Sequence, residues 1–257
     1  AGQFPWGPVG EIVLVDSENT LVKKFAPTGP DSNTAVSFFT AASFLAYGNN
    51  LSVARAVHST SKNATGNTAV QIDNSDTFQY NYLTSDNNNL YGAFAARYVG
   101  ALGNSLKVSV CDNSGDFASW DYKGYFTSAP GTSEFVSNAG GSDDELHIVV
   151  LDEDGLFTGT AGAVLETFAF LSKASDASVN GVSNYYKQVI FNTSNYVYAV
   201  DPVSYTSTNS TWGQNAAGTA FATLTGVQTI TLTNGTDEAV TDGNLENAYD
   251  LFANKET

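Results

Sequence analysis

A change of hydrophobic period within residues 37–57 constrains the fold more than any other feature of the sequence. Up to Gly48 the apolar residues recur at helical spacing, in a stripe formed by Phe38, Ala41, Ala42 and Leu45. From residue 51 to residue 57 the pattern alternates as it does in a strand. Gly48 suits the left-handed position that commonly ends a helix. The pattern therefore predicts a helix packed on a sheet.

The neighbouring patterns extend this unit towards the N-terminus. An apolar run from Val9 to Val15 and a short helix from Glu18 to Phe25 precede it, so the predicted order is strand, helix, helix, strand. Apolar strand and helix patterns of the same kind return towards the C-terminus. The predicted elements there are a strand from Glu145 to Leu151, an extended run from Val164 to Leu171, a helix from Ser183 to Phe191, strands from Tyr196 to Val200 and from Gln228 to Leu232, and a helix from Asn244 to Ala253.

Residues 58–144 differ from both flanks, because they are rich in Asn, Ser, Gly and Tyr and carry short alternating runs. Strands are predicted at Ala69 to Ile72, Phe78 to Leu83, Phe94 to Val99, Leu106 to Cys111 and Tyr122 to Thr127. The fold class is predicted as α/β (α+β). A mixed sheet with flanking helices forms a discontinuous core domain (1–57 and 145–257), interrupted by a β-rich, protruding inserted domain (58–144).

The charge balance excludes several classes of partner. Asp and Glu number 26 against 10 Lys and Arg, giving a formal charge of −16, so no electrostatic footprint for nucleic acid is present. The sequence has no run of about 18 apolar residues and no basic leader, so neither a membrane span nor a signal peptide is predicted. If many copies pack together, repulsion between them makes assembly depend on the salt concentration. Alternatively, the negative charge serves only to keep a free domain in solution.

The titratable residues do not form a recognisable catalytic or metal-binding motif. His58 and His147 are the only histidines and no G-x-S-x-G occurs, so both histidines are interpreted as structural. Cys111 is the only cysteine, which excludes an internal disulfide and makes a zinc site improbable. Phosphate-cradling glycine motifs are absent. No catalytic residue, cofactor or metal site is predicted.

Several polar clusters have two readings. The loops at Asp152, Asp154 and Gly155 and at Asp112, Asn113, Gly115 and Asp116 resemble calcium loops, but turn chemistry accounts for both. Glu145 and Glu166, with Trp120 and Trp212, are the residues that a glycosidase or a sugar platform would use, although such aromatics are more often core. Sequons at Asn63, Asn192, Asn209 and Asn234 are expected by chance in this composition.

Three segments resemble the tail sheath proteins of contractile-tailed, T4-like bacteriophages. At the start, Phe4, Trp6, Gly7 and Pro8 match the family's aromatic-Trp-Gly-Pro. The helix-to-strand segment matches at Phe44, Leu45, Tyr47, Gly48, Asn49, Leu51, Val53, Arg55, Ala56 and Val57. Near the end the matching residues are Leu232, Gly235, Asp242, Leu245, Ala248, Asp250, Phe252 and Ala253. Relative to this family the chain is expected to be truncated at both ends.

The resemblance implies a mechanical function. A sheath subunit polymerises helically around the tail tube and contracts to drive the tube through the host envelope. The implied partners are other copies of the chain, the tail tube protein, and baseplate and tail terminator proteins, without nucleic acid or direct membrane insertion. The implied location is the virion, after assembly in the host bacterial cytoplasm. The subunit-contact residues are unknown from the sequence.

Two alternatives of other classes stay open at this point. The Asn, Thr and Tyr content and the negative charge suit a secreted carbohydrate-binding or adhesive β-rich protein. The carboxylates suit a hydrolase. Glycan binding favours the first alternative, turnover of polysaccharides favours the second, and tubular particles favour a sheath subunit.

Overall fold

The computed structural model describes residues 1–28, 32–85, 89–203 and 211–253. Within these ranges helices and strands are combined, which confirms the α+β class. The strands are β1 (Ile12–Val15), β2 (Leu51–Ala54), β3 (Phe94–Ala96), β4 (Leu106–Cys111), β5 (Glu145–Asp152), β6 (Ala163–Ser172), β7 (Ser178–Val179), β8 (Val182–Ser183), β9 (Val197–Ala199) and β10 (Gln228–Thr231). The helices are α1 (Glu18–Phe25), α2 (Ala35–Leu45), α3 (Ser75–Asn81), α4 (Ser114–Phe117), α5 (Glu134–Asn138), α6 (Tyr186–Thr193) and α7 (Asp242–Ala253).

The N-terminal residues form a small unit in which helices cover a two-stranded sheet, as the hydrophobic periods predict. β1 and β2 pair antiparallel, with Val13 opposite Val53. α1 begins after Ser17, whose hydroxyl accepts the Thr20 N–H at 3.2 Å and so caps the first turn. A buried cluster joins the helices to the sheet and contains Phe4, Val15, Leu21, Phe25, Phe38, Ala41 and Val53.

The predicted role of Gly48 is wrong. α2 ends at Leu45, and both Tyr47 and Gly48 donate their N–H groups to the carbonyl oxygen of Phe44 at 3.0 Å. Gly48 is not among the described glycines with positive φ. A Cβ atom at this position would lie 3.2 Å from the Phe44 ring. The glycine therefore allows a close approach of the backbone to an aromatic ring rather than a left-handed turn.

The main sheet has the order β10-β4-β5-β6, and its described strand pairs are all antiparallel. Single parallel bridges occur elsewhere, as between Gly2 and Arg55. One face of β5 sends Leu146, Ile148 and Val150 into the largest hydrophobic cluster. The other face buries residues against a second cluster that includes Trp120. Burial on both faces explains why β5 is a nearly continuous apolar run.

The middle of the chain differs from the prediction at three of the five predicted strands. Ala69 to Ile72 forms only a single bridge, between Val70 and Asn63. Phe78 to Leu83 is not a strand: α3 occupies this region, because Asn74 accepts the Thr77 N–H at 2.9 Å and caps a helix there. Tyr122 to Thr127 is not a strand either, since a 3₁₀ turn spans Lys123–Tyr125. In α3, Phe78 is buried whereas Tyr80 is 88% exposed, so aromatic residues two positions apart lie on different sides, as they do in a helix.

The division of the chain at 57/58 and 144/145 stays a prediction, with one limit set by the sheet. β4 belongs to the segment predicted to protrude, yet it lies between β5 and β10. Its residues Leu106, Val108 and Val110 share the largest cluster with residues of β5. A protruding domain therefore cannot include β4, which is part of the central sheet.

Arg55 joins the N-terminal unit to the rest of the chain. Its side chain is buried and donates to three backbone carbonyl oxygens: Phe4 at 2.8 Å, Gly7 at 2.7 Å and Val99 at 2.8 Å. Burial lowers the pKa of Arg55 to about 10, and the carboxylate of Asp237 opposes that shift. The planar guanidinium is the side chain whose donors reach several acceptors at once. The Arg55 side chain thus connects Phe4 and Gly7 to Val99, which is far away in the sequence.

His147 lies on the second face of β5, where the backbone engages both of its ring nitrogens. Nε2 donates to the Ser128 carbonyl oxygen at 2.9 Å, and Nδ1 accepts the Phe170 N–H at 3.0 Å, an arrangement that requires the neutral ring. The ring stacks on Phe126 at 4.2 Å. Phe170 has a φ of 53°, a region that aromatic residues rarely adopt. The imidazole therefore holds an irregular point of β6 in place.

Replacing Arg55 with Lys should destabilise the protein. One ammonium group cannot reach all three carbonyl oxygens, and each buried acceptor left unsatisfied costs roughly 1–3 kcal/mol. The expected decrease in the free energy of unfolding is at least about 2 kcal/mol, measured by urea denaturation. Arg97→Lys is the control, because the half-buried Arg97 donates to the Phe191 carbonyl oxygen at 3.2 Å. An equal loss in both variants would contradict the assigned role.

The stability of the protein should fall as the pH falls below about 6.5, with a contribution from His147. Burial lowers the pKa of His147, so in this range the unfolded chain binds a proton that the folded chain excludes. The Cys111 thiol opposite on β4 has its pKa raised to about 11 by burial and stays neutral. The difference in slope between the unchanged protein and His147→Asn should approach about 1.4 kcal/mol per pH unit.

Urea denaturation at pH 7.5, 6.0 and 5.0 would measure this slope, with His58→Asn as the matched control. If His147→Asn and the unchanged protein lost stability in parallel between pH 6.5 and 5, the imidazole would not be the group responsible.

Candidate assembly surface

The histidines do not form a catalytic pair in the described part of the chain. Both ring nitrogens of His147 are held by backbone groups of Ser128 and Phe170. His58 Nδ1 contacts the Thr60 hydroxyl at 2.8 Å and also accepts the Thr60 N–H at 3.2 Å. These contacts close a local turn, so the structural interpretation of both side chains is supported by their hydrogen bonds.

The carboxylates proposed for a glycosidase lie far apart. Glu145 pairs with Ser172, whereas Glu166 pairs with Val150, so the two acids are separated by the length of β5 from 145 to 150. At about 3.4 Å per residue this is about 17 Å, beyond the roughly 5–9.5 Å that glycosidases use. Each carboxylate also accepts hydrogen bonds within the chain. Glu145 accepts the Gly131 N–H, and Glu166 accepts the Ser194 hydroxyl and the Asn195 N–H.

The two tryptophans proposed as a sugar platform belong to the core. Trp120 is buried and its Nε1 donates to Ser109 Oγ at 2.9 Å. Trp212 is also buried, and its Nε1 donates to the Ala222 carbonyl oxygen at 2.8 Å. Neither ring offers a face to a ligand.

The two loops that resemble calcium sites use their carboxylates within the protein. Asp152 accepts from the Ser105 hydroxyl at 2.7 Å and from the N–H and hydroxyl of Thr158 at 2.8 Å. Asp112 forms an ion pair with Lys173 at 2.8 Å, and both side chains are fully buried. The turn interpretation is therefore confirmed for Asp152. Among the described residues, no group of three or more His, Cys, Asp or Glu is arranged to hold a metal ion.

Of the sequons in the described residues, Asn192 and Asn234 are exposed, whereas Asn63 is not. The Asn63 side chain is buried and donates to the carbonyl oxygens of Ile72 and Ala96, so it is not an accessible glycosylation site. Asn209 lies outside the described residues. In the described ranges, no helix is sufficiently long and apolar to cross a membrane.

α2 carries a second apolar face that nothing in the described chain covers. Its inner stripe packs on the N-terminal unit, but on the opposite side Val36 is 79% exposed and Phe39 and Phe44 are about half exposed. Tyr47, just beyond the helix, is 98% exposed. Thr40 and Ser43 lie on the same side, so this side is uncharged and mostly apolar, whereas the exposed face of a surface helix is normally charged or polar. We call Val36, Phe39, Phe44 and Tyr47 the outer face of α2.

An apolar groove of about 380 Å³ continues the outer face of α2 towards β2. Val36, Thr40 and Phe44 line it from α2, and Leu51 and Val53 line it from β2. No acidic or basic side chain lines the groove. The groove and the outer face of α2 together form one contiguous apolar surface, and such surfaces mark interaction sites.

The electrostatics of this region differ from those of the whole chain. Residues 32–54 contain no Asp, Glu, Lys, Arg or His, although the chain has a formal charge of −16. Two copies can approach through this region without placing like charges in contact. The outer face of α2 is therefore the candidate assembly surface.

The sequence also contains a pattern that indicates this surface, although the analysis of its period predicts only the inner stripe of α2. The pattern of Phe38, Ala41, Ala42 and Leu45 predicts the inner stripe correctly, and these residues are buried or packed against the cluster of the N-terminal unit. The uncharged segment AVSFFTAASFL also places Val36, Phe39 and Phe44 on the other side of the helix. A helix whose outer side carries apolar residues and no charged residue is the feature that indicates a second interaction surface.

Comparison with known proteins gives a consistent picture, although no family model matches the chain. The tail sheath protein of Salmonella phage ViI is 37% identical over 166 residues, which are 63% of this chain and 23% of that protein. The tail sheath proteins of Enterobacteria phage T4 and Vibrio phage KVP40 are each 46% identical over 65 residues, 25% of this chain. The match spans less than a quarter of the length of these curated relatives.

Two solved structures of sheath tail proteins also resemble the chain. The one from Listeria innocua has 14% identity and a TM-score of 0.47, and covers 98% of this chain and 37% of its own. The one from Desulfitobacterium hafniense has 13% identity and a TM-score of 0.45. The assignment rests on the curated sequence relatives. The resemblance inferred from the sequence is confirmed, and the chain is a homologue of the tail sheath proteins of T4-like bacteriophages.

Proposed function

We propose that the chain is part of a structural subunit of a phage contractile tail sheath, which polymerises helically around the tail tube and contracts to drive the tube through the host envelope. The identity to curated tail sheath proteins supports the structural role. The outer face of α2, which no described residue covers, also supports polymerisation, because exposed apolar surfaces of this kind mark interaction sites.

The distribution of charge suits an array of identical subunits. Each copy of the chain carries a formal charge of −16, so close packing is opposed by repulsion unless contacts form where charges are absent. The outer face of α2 and its groove provide such a place. A helical array also requires contacts between different surfaces of two copies, since a contact that does not close generates a filament.

The partners follow from this proposal. Neighbouring copies form the array, and the tail tube, baseplate and tail terminator proteins contact its inner side and its ends. The location is the virion, after assembly in the host bacterial cytoplasm. The function is mechanical rather than enzymatic, in keeping with the engaged carboxylates and histidines described above.

Contraction without a fuel requires two packings of the same subunits. The extended packing is held at higher free energy until a trigger releases it, and the contacts between subunits rearrange. Residues 1–57 and 145–257 are proposed to take part in the array together with β3, which pairs with β9, and β4, which lies between β5 and β10. The outward-facing part is then limited to the remaining residues of 58–144.

Raising the salt concentration should promote polymerisation of the complete protein. Salt screens the repulsion between exposed charges that lie farther apart than about 10 Å at 0.1 M salt, and farther apart than about 3 Å at 1 M. We expect the fraction of protein in tubular particles to increase from about 50 mM to about 500 mM NaCl, measured by sedimentation and electron microscopy. Compact, non-tubular species at every salt concentration would contradict the sheath proposal.

Polar substitution on the outer face of α2 should weaken polymerisation without unfolding the subunit. For the pair Val36→Ser and Tyr47→Ser, losing about 3 kcal/mol of apolar contact raises the critical concentration about 100-fold. The far-UV circular dichroism should not change, because both side chains are exposed in the single chain. The measurement is the protein left in the supernatant at the end of assembly.

The matched control is the pair Val22→Ser and Tyr80→Ser, which removes one exposed valine and one tyrosine that is 88% exposed elsewhere. This control should assemble normally. If both pairs raised the critical concentration equally, the outer face of α2 would not be the specific surface.

A further inference from the structure

Asparagine followed directly by glycine occurs twice in the sequence, at residues 180 and 181 and at residues 234 and 235. In such a pair the backbone nitrogen of the glycine can attack the side-chain amide of the asparagine, because glycine has no Cβ atom to hinder the approach. Ring closure requires the peptide group between the two residues to rotate towards the side chain. The surroundings of each glycine therefore decide whether the pair reacts in the folded protein.

Asn180 and Gly181 form the turn of the β7–β8 hairpin, where their shared peptide group is held weakly. Both residues are exposed, with φ angles of 52° and 79°, the left-handed angles of a two-residue hairpin turn. Among the described residues, neither the Asn180 amide nor the Gly181 N–H has a hydrogen-bond partner. Within the same part of the chain, a Cβ atom at Gly181 would have no atom within 4 Å apart from its chain neighbours.

The tip of the hairpin can open without disturbing its base. Each strand has two residues, which is too short to be stable alone, and short exposed segments open at small cost in free energy. Val179 is 55% exposed and Val182 is 69% exposed, so the core loses little apolar contact when the tip opens. At the base, the Ser172 N–H donates to the Asn184 carbonyl oxygen, and Asn184 Nδ2 donates to the Phe170 carbonyl oxygen, each at 2.8 Å. Rotation of the peptide group at the tip is therefore compatible with the rest of the fold.

Gly235 is held in place, although the Asn234 side chain next to it is also exposed. Asn104 bonds both backbone groups of Gly235: its Oδ1 accepts the Gly235 N–H at 2.8 Å, and its Nδ2 donates to the Gly235 carbonyl oxygen at 2.9 Å. A Cβ atom at Gly235 would lie 2.6 Å from the Gly100 carbonyl oxygen, so this glycine packs against backbone. Asn234 Nδ2 donates to the Asn67 carbonyl oxygen at 3.1 Å. Rotation of this peptide group requires these contacts to break.

We propose that Asn180 is a site of spontaneous deamidation in the folded protein, whereas Asn234 is protected. Hydroxide removes the proton of the Gly181 N–H, and the nitrogen forms a bond to Asn180 Cγ. The bond from Cγ to Nδ2 breaks, and the leaving nitrogen takes up a proton and departs as ammonia. Water then opens the five-membered succinimide ring. Cleavage between Cγ and the nitrogen gives aspartate, and cleavage at the backbone carbonyl carbon gives isoaspartate. This inference concerns the single chain and does not depend on the proposed function.

Either product changes the tip of the hairpin. Each adds a carboxylate to a chain whose formal charge is already −16, beside a recess that Glu134 and Asn180 both line. Aspartate suits the same turn, because Asp-Gly is favoured there as Asn-Gly is. Isoaspartate inserts one methylene group into the main chain, which a two-residue turn does not accommodate. The aspartyl product should therefore keep the hairpin, and the isoaspartyl product should disrupt it.

Incubation of the complete protein at mildly alkaline pH measures both sites in one sample. Aliquots are unfolded, digested with trypsin and analysed by mass spectrometry with fragmentation, which locates each converted residue. Asn180 lies in the tryptic peptide 174–187, between Lys173 and Lys187. We expect Asn180 to convert at least about 10-fold faster than Asn234, because reaction at Asn234 first breaks the two hydrogen bonds that Asn104 makes. Equal conversion of the two residues, or faster conversion of Asn234, would overturn the inference.

The same incubation in urea separates the effect of the fold from that of the sequence. Both peptide groups rotate freely in the unfolded chain, so the two rates should become similar. A difference that persisted in urea would show that the fold does not set the rates, and the inference would fail. It would fail as well if Asn180 converted in urea and not in the folded protein.

Two variants complete the test. Asn180→Gly keeps a favoured turn, since Gly-Gly also suits it, and should abolish most of the acidic species that appear on isoelectric focusing of the incubated protein. Asn104→Ala releases Gly235 and should increase the rate at Asn234 while the rate at Asn180 stays the same. Circular dichroism verifies that both variants are folded. An unchanged rate at Asn234 in folded Asn104→Ala, or undiminished acidic species in Asn180→Gly, would contradict the inference.

Discussion

The hydrogen bonds of Arg55 are the interaction on which the arrangement of this chain depends. One buried guanidinium holds the carbonyl oxygens of Phe4, Gly7 and Val99, and so fixes the N-terminal unit against the main body. Trp6, between two of these positions, packs edge-on against Tyr98 and Phe157 within the largest cluster. Phe4, Trp6, Gly7 and Arg55 also carry the family resemblance. The resemblance therefore includes the contact between the N-terminal unit and the main body.

The fixed joint gives the uncovered surfaces a defined relation to one another. The outer face of α2 lies on the N-terminal unit, whereas the β7–β8 hairpin is tied to β6 of the main sheet. Because β5 and β6 are joined along most of their length, a load applied at the hairpin passes into a sheet with a core on both faces. In the proposed array, such a rigid arrangement would allow the contacts between copies to change while the fold of each copy is retained.

Elements are predicted correctly where the hydrophobic period, the capping residue and the buried positions all indicate the same secondary structure. α1 has the predicted bounds, because Ser17 caps it and Leu21 and Phe25 supply its buried stripe. The strand at Phe78 was wrong, because alternation of aromatic residues does not reveal a cap such as Asn74. The β7–β8 hairpin was not predicted, although Val-Asn-Gly-Val is the strongest short signal for one. The outer face of α2 was not predicted, because the sequence analysis considered only the inner of the two apolar stripes of this helix.

The uncharged character of residues 32–54 has a consequence for a particle that leaves its host cell. The stretch contains no carboxylate, amine, guanidinium or imidazole side chain, so a contact made through it does not depend directly on the acidity of the surrounding medium. Temperature does act on such a contact, since apolar association weakens on cooling. Cold is then the condition under which such a tail would loosen first.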